Sequence, residues 1–255
     1  MLRQALRPSA TSEQQRLQGL ASYSGDPWIP ENDYFRAAEV HFLDMWRTMI
    51  HPAIEDCDFS AVIDLAAGHG RNANMLAPKS GRVLVMDIQA GNVEACKERF
   101  AGQAHVQCAV NNGYDLRPAG DAEFTLVYSF DSMVHFDPEV VRSYLRDTRR
   151  VLRPGGRGFF HHSNYTGGSD WRSAPHGRGY MSRELFAAYA RAAGLRTLSQ
   201  RTFGWGDPSE RWGHINNLDC FTLVERPKGV RAWIDPIVRL FAKVKLRLDA
   251  RRSRS

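Results

Sequence analysis

Residues 61–73, AVIDLAAGHGRNA, run an apolar, β-branched stretch into a glycine-containing turn and then into residues suited to start a helix. The order reads as strand, tight turn, helix. Outward from it the rhythm repeats. Apolar runs rich in β-branched and aromatic residues stand at 61–66, 82–88, 105–110, 123–130, 157–162, 196–203 and 218–225. Between them lie helical segments, the clearest over 138–152, which Asp137 caps, Pro138 opens and Pro154-Gly155-Gly156 ends. Ser182 opens another over 183–193 and Gly194 stops it. Residues 31–54 read as one more amphipathic, aromatic helix ahead of the first strand. Seven strands alternating with helices predict an α/β fold, a doubly wound and mostly parallel sheet with helices on both faces.

The chain has 255 residues, 43% of them hydrophobic, enough for one large domain with a well-buried core. The N-terminal stretch MLRQALRPSATSEQQRLQGL holds no apolar run of signal-peptide length, and nowhere do about 18 apolar residues stand together, so a soluble, cytoplasmic protein is expected. Cys57, Cys96, Cys108 and Cys220 form no Cys-x-x-Cys pair, which predicts reduced thiols without a zinc site. The net charge of +6 is unevenly placed. Residues 228–255 hold nine of the 34 Lys and Arg and two of the 28 acids, so the tail carries +7 and the body −1. A neutral body argues against a nucleic-acid surface. Residues 1–30 read as an extension, 31–227 as the catalytic-sized domain and 228–255 as a basic tail.

In a doubly wound sheet, ligands sit beyond the carboxyl ends of the strands and the first strand-to-helix turn touches them. Gly68-His69-Gly70-Arg71-Asn72-Ala73 fits the dinucleotide pattern G-x-G-x-x-[G/A], and Asp87 lies 19 residues beyond Gly68, near the expected ribose-binding acid. Asp64 argues for a different ligand. A carboxylate at the end of the first strand would repel a pyrophosphate and favour an ammonium. S-adenosylmethionine carries an ammonium and a sulfonium and no phosphate.

At this point the sequence resembles the class I S-adenosylmethionine-dependent methyltransferases, whose first motif is [D/E]-x-G-x-G-x-G. Here it reads Asp64-Leu65-Ala66-Ala67-Gly68-His69-Gly70, departing at Ala66. The resemblance covers roughly residues 30–226. It implies a Rossmann-like fold whose last strand, 218–225, is antiparallel near the sheet edge. It also implies S-adenosylmethionine as cofactor, with Asp64, Ala66, Gly68 and Gly70 at the turn, Asp87 on the ribose, Ile88 against the adenine, and Asn112 with Gly113 at the adenine amino group. FTLVYSFDSMVHF, 124–136, matches the fourth strand and active-site loop, and RVLRPGGRGFF, 150–160, the helix, turn and fifth strand.

Methyl transfer from sulfonium is an in-line displacement, and a poorly acidic hydroxyl must also lose a proton. Asp131 and His135 lie in the loop after the fourth strand, and HHSN, 161–164, closes the fifth. His135 ranks first as base and His162 second, with Asp131 orienting a histidine or binding substrate hydroxyls; a packing role for His135 stays open. Alternation along the strand sends His161 and His162 to opposite faces. No metal is expected. Residues 164–180, NYTGGSDWRSAPHGRGY, are long for a connection and read as a substrate wall or lid, whose Trp171, Arg172, His176 and Arg178 suit a hydroxylated or anionic acceptor. Trp205 and Trp212 extend that wall.

In the tail, Ile237, Leu240, Phe241, Val244 and Leu248 follow helical spacing with Arg239, Lys243 and Arg247 on other faces. Such a helix packs on its own domain or meets an anionic membrane as a peripheral contact. The leading expectation is O-methylation of a hydroxyl on a sugar, glycan or other small metabolite. The alternatives are N-methylation of a small amine or RNA base, and a nicotinamide-dependent oxidoreductase on a similar fold.

Overall fold

The computed structural model describes residues 11–24, 39–40, 42–168, 170–209 and 211–228. Seven strands form one sheet in the order β3-β2-β1-β4-β5-β7-β6. They are β1 (Val62–Leu65), β2 (Val83–Asp87), β3 (Val106–Val110), β4 (Phe124–Ser129), β5 (Leu152–Ser163), β6 (Arg196–Trp205) and β7 (Ile215–Glu225). β1 to β5 pair in parallel, and β7 lies antiparallel between β5 and β6, as the sequence led us to expect. The order reverses between β1 and β4, which opens a crevice at their carboxyl ends.

Helices cover both faces: α1 (Ser12–Ser24), a helical stretch α2 over residues 42–54, α3 (Arg71–Leu76), α4 (Ala90–Arg99), α5 (Pro138–Val151) and α6 (Arg183–Ala193). α2 widens to a π-helical turn over Trp46–Ile50, and the rest of the helix expected from residue 31 lies outside the described residues. The caps explain where α5 and α6 begin. Asp137 accepts from the Glu139 amide with Pro138 in the first turn, and Ser182 accepts from the Leu185 amide. Gly194, at φ 83, ends α6 in the left-handed conformation that glycine adopts without strain.

Alternation along the strands sorts the core into two halves. Ile63, Leu65, Met86, Val127 and Phe160 pack with α1, α5 and α6, whereas Val62, Val85, Leu126, Tyr128 and Phe159 pack with α2, α3 and Cys96 of α4. Leu17 and Ala21 of α1 belong to the first half. The segment read as an extension therefore supplies part of the domain's core. Among the described residues no helix is long and apolar enough to cross a membrane. The amphipathic reading of residues 229–255 lies outside the described residues.

Candidate functional site

A cavity of about 580 Å³ opens at the carboxyl ends of β1, β2 and β4, within the usual range for a small-molecule site. Its floor is the turn after β1. Ala66 and Gly68 both take positive φ, 56° each, so the backbone folds back on itself and faces the cavity. For alanine this conformation costs about 1–2 kcal/mol, which accounts physically for the glycine usual at that motif position. Ser132, from the loop after β4, braces the turn by donating its hydroxyl to the Ala66 carbonyl at 2.7 Å.

Asp87 ends β2 and lines the cavity while 6% exposed. Its Oδ2 accepts from the Gly68 amide at 2.9 Å, and Oδ1 from the Gln89 amide and Asn92. Burial raises its pKa against these three bonds. The carboxylate is thus held in a fixed orientation. Ile88 and Gly113 line the same end beside Ala21 and Ser24 of α1. A Cβ on Gly113 would meet Ala21 and Ile88 at 2.6 and 2.7 Å, so the glycine permits close packing there.

Four predicted residues stand elsewhere than expected. Asp64 is fully buried and does not line the cavity; alternation turns it beneath the glycine turn on the α3 face. Its oxygens lack hydrogen-bond partners of normal geometry, and burial pushes its pKa up to about 8 despite the Ala73 amide and Arg71. Gly70 is also outside the lining. It sits at φ 79 where a Cβ would strike the Phe100 ring at 2.6 Å, so it serves packing. Asn112 spends its Oδ1 on the amides of Tyr114 and Asp115, and its neighbour Asn111 lines the cavity instead. Asn111 is fixed by its bond to the Tyr144 hydroxyl and by the Gly113 amide.

His162 is the fourth. It is fully buried on the α6 face, stacked on Phe186 with ring centroids 4.0 Å apart. Both nitrogens are engaged, with the Ser163 carbonyl and the Thr222 hydroxyl, and burial pushes its pKa down to about 3. Strand alternation carries it away from the cavity, so it is no base for an acceptor there.

His135 does line the cavity. Its Nδ1 lies 2.5 Å from the Gly177 carbonyl. A carbonyl only accepts, so Nδ1 carries the proton and Nε2 keeps its lone pair. Burial first, then Arg178, lowers the pKa below the usual 6.5, which keeps the ring neutral. Trp171 packs against it at 5.3 Å. Asp131, at φ 61, also lines the cavity but gives its carboxylate to Arg71 at 3.1 Å, both side chains being buried.

Behind this layer lies a network that sequence reading missed. Arg178 donates from Nε and a terminal nitrogen to the two oxygens of Asp219, at 2.8 and 2.6 Å, and to the His176 carbonyl. His161 bridges: its Nδ1 accepts from the Asp131 amide, so Nε2 carries the proton and faces Asp219 at 3.2 Å. The one signal in the sequence was an acid, Asp219, inside an apolar strand, because a buried carboxylate demands a partner. α1 adds a clasp over the loop after β5. Tyr23 donates to Asp170 at 2.8 Å, and Arg172 reaches the Tyr23 carbonyl while lying over its ring.

Residues 62–156 match a family model described as a methyltransferase domain. A demethylmenaquinone methyltransferase of Clavibacter sepedonicus is 30% identical over 113 residues, 44% of this chain and 45% of that one. An O-methyltransferase of Penicillium expansum is 33% identical over 102 residues, 38% of this chain and 35% of that one. The chain spans less than half the length of either curated relative. The solved geranyl diphosphate C-methyltransferase of Streptomyces coelicolor A3(2) superposes with a TM-score of 0.60 at 15% identity, over 86% of this chain and 100% of that one. Residues 62–156 are thus similar to a methyltransferase domain, and the sheet that carries them shares the fold of the solved C-methyltransferase.

The residues present fit that donor. A buried, oriented carboxylate at the end of β2 suits a diol, and Ile88 and Gly113 offer a close apolar flank. Arg71, which lines the cavity beside the turn, is committed to Asp131. A pyrophosphate at this end would meet the Asp87 carboxylate.

Proposed function

We propose that the protein transfers a methyl group from S-adenosylmethionine to a hydroxyl of a small acceptor, with His135 as general base. The bound donor would supply a methyl carbon activated by its sulfonium. Asp87 would accept from the ribose hydroxyls, Ile88 would flank the adenine, and Asn111 takes the adenine-reading role that Asn112 was expected to fill. Ala66 and Gly68 present backbone to the amino-acid end. His135 would take the acceptor's hydroxyl proton on Nε2 as oxygen attacks carbon.

One observation carries the choice of oxygen as nucleophile: a half-buried, neutral histidine at the cavity whose proton is fixed on Nδ1 by the Gly177 carbonyl. The relatives do not make that choice, since their names include both an O- and a C-methyltransferase. The test is calorimetry with S-adenosylmethionine and with NAD, followed by S-adenosylhomocysteine release with candidate acceptors. Donor binding retained in His135→Gln with turnover cut by about 100-fold or more is the expected result. Uptake of NAD without S-adenosylmethionine, or full turnover in His135→Gln, overturns the proposal.

A further inference from the structure

We infer that the acceptor is a hydroxylated aromatic acid, its flat ring held among Trp171, Trp205 and Trp212 and its anionic group met by Arg211 at the cavity mouth. The inference rests on the methyl-transfer reading and narrows its acceptor.

The cavity wall changes character along its length. Its aliphatic side chains, Ala21, Ala66, Ala67 and Ile88, all stand at the donor end. Phe136 and Tyr144 stack beside Asn111, and the other end is built from rings: the three tryptophans, Phe130 and the imidazoles. Walls of π-faces favour a flat, polarisable ligand through offset and edge-on stacking.

A sugar would need side chains able to bond several hydroxyls, and several of the polar groups here are already engaged. Asp131 is paired with Arg71, Ser132 donates to the Ala66 carbonyl, and Asn72 accepts from the Tyr128 hydroxyl. An aromatic wall also suits a cationic acceptor, but the charges oppose one. Arg71 is balanced by Asp131 and Arg178 by Asp219. That leaves Arg211, which pairs with no carboxylate among the described residues and lies 4.9 Å over the ring of Trp212. Trp212 itself is 41% exposed. A guanidinium resting on an exposed indole at the mouth can bind a carboxylate in bidentate fashion, while the indole covers the adjoining ring.

The experiment titrates tryptophan fluorescence of the full chain, without methyl donor, against mono- and dihydroxylated benzoates and naphthoates. Each acid is tested beside its methyl ester, and methyl glucoside is included. We expect at least one acid to bind about tenfold more tightly than its ester, the size of a charge-assisted bond. Arg211→Gln brings that acid down to its ester and leaves the ester unchanged, and Arg211→Lys keeps part of the preference. The inference is overturned if no acid gives saturable quenching, if acid and ester bind alike throughout, if the preference survives Arg211→Gln, or if methyl glucoside binds more tightly than the acids. Because no donor is present, acid binding by a chain that ignores S-adenosylmethionine sinks the transferase reading alone. Donor uptake without acid preference sinks this inference alone.

Discussion

His135 donates from Nδ1 to the Gly177 carbonyl across 2.5 Å, so a backbone atom of the loop after β5 sets the tautomer of a ring on the loop after β4. Gly177 holds φ 69, and a Cβ there would lie 3.3 Å from Cε1 and Nδ1 of the imidazole. Gly177→Ala should therefore strain the loop and tilt the ring together. Turnover is expected to fall about tenfold or more while the melting temperature moves by a few degrees, checked by steady-state kinetics beside thermal unfolding.

The rate should also report the protonation of His135. Burial, with help from Arg178, holds its pKa below 6.5, so the neutral base persists at neutral pH and is lost as pH falls through the lowered value. The pH–rate profile should be flat above about 6.5 and fall only at more acid pH, and His135→Gln should abolish that limb. The same sign governs stability: the unfolded chain takes up this proton first, so the contribution of the neutral ring fades on acidification.

Asp64 works in the opposite direction. Its folded pKa, raised by burial to about 8, lies above the unfolded value, so its contribution is complete in acid and lost as pH rises through about 8. Urea midpoints of the wild type should drop between pH 5 and pH 9, corresponding to a loss of roughly a few kcal/mol. Asp64→Asn should flatten that slope. An equal slope in both proteins would show that Asp64 is ionised throughout.

Asp219 tests the hidden network. Burial works against its charge, yet Arg178 and His161 hold its carboxyl well below the ordinary carboxylate range. Asp219→Asn leaves a guanidinium buried without its counter-charge and should cost about 3–5 kcal/mol in chemical denaturation. Pairing Asp219→Leu with Arg178→Met should recover much of that loss, since an apolar pair of similar bulk avoids desolvating ions.

Much of this architecture could be read ahead of the coordinates. The strand periodicity and the caps at Asp137 and Ser182 follow from local patterning that tertiary contacts had no reason to override, and the antiparallel place of β7 from the family resemblance. The positions of Asp87 and His135 at the cavity were legible because motif spacing fixes them relative to strand ends. What failed was orientation at those ends. Asn111 and Asn112 are adjacent and chemically identical, and only the turn at Gly113 decides which faces inward. His161 and His162 were correctly sent to opposite faces, but placing His162 second as base ignored that α6 would cover it. Asp64 looked like a ligand contact because sequence shows proximity to the turn and not the layer of backbone between. The partnership of Arg178 with Asp219 spans 41 residues, beyond the reach of any local pattern.

α1 touches both ends of the reaction. Ala21 packs close to Gly113 at the end of the cavity proposed for the donor, and Tyr23, two residues on, is bonded to the loop that also bears Gly177. On the proposed reading, loading one substrate and arming the base for the other would be yoked to a single helix, and a cleavage that frees the chain's opening segment would unsettle both at a stroke.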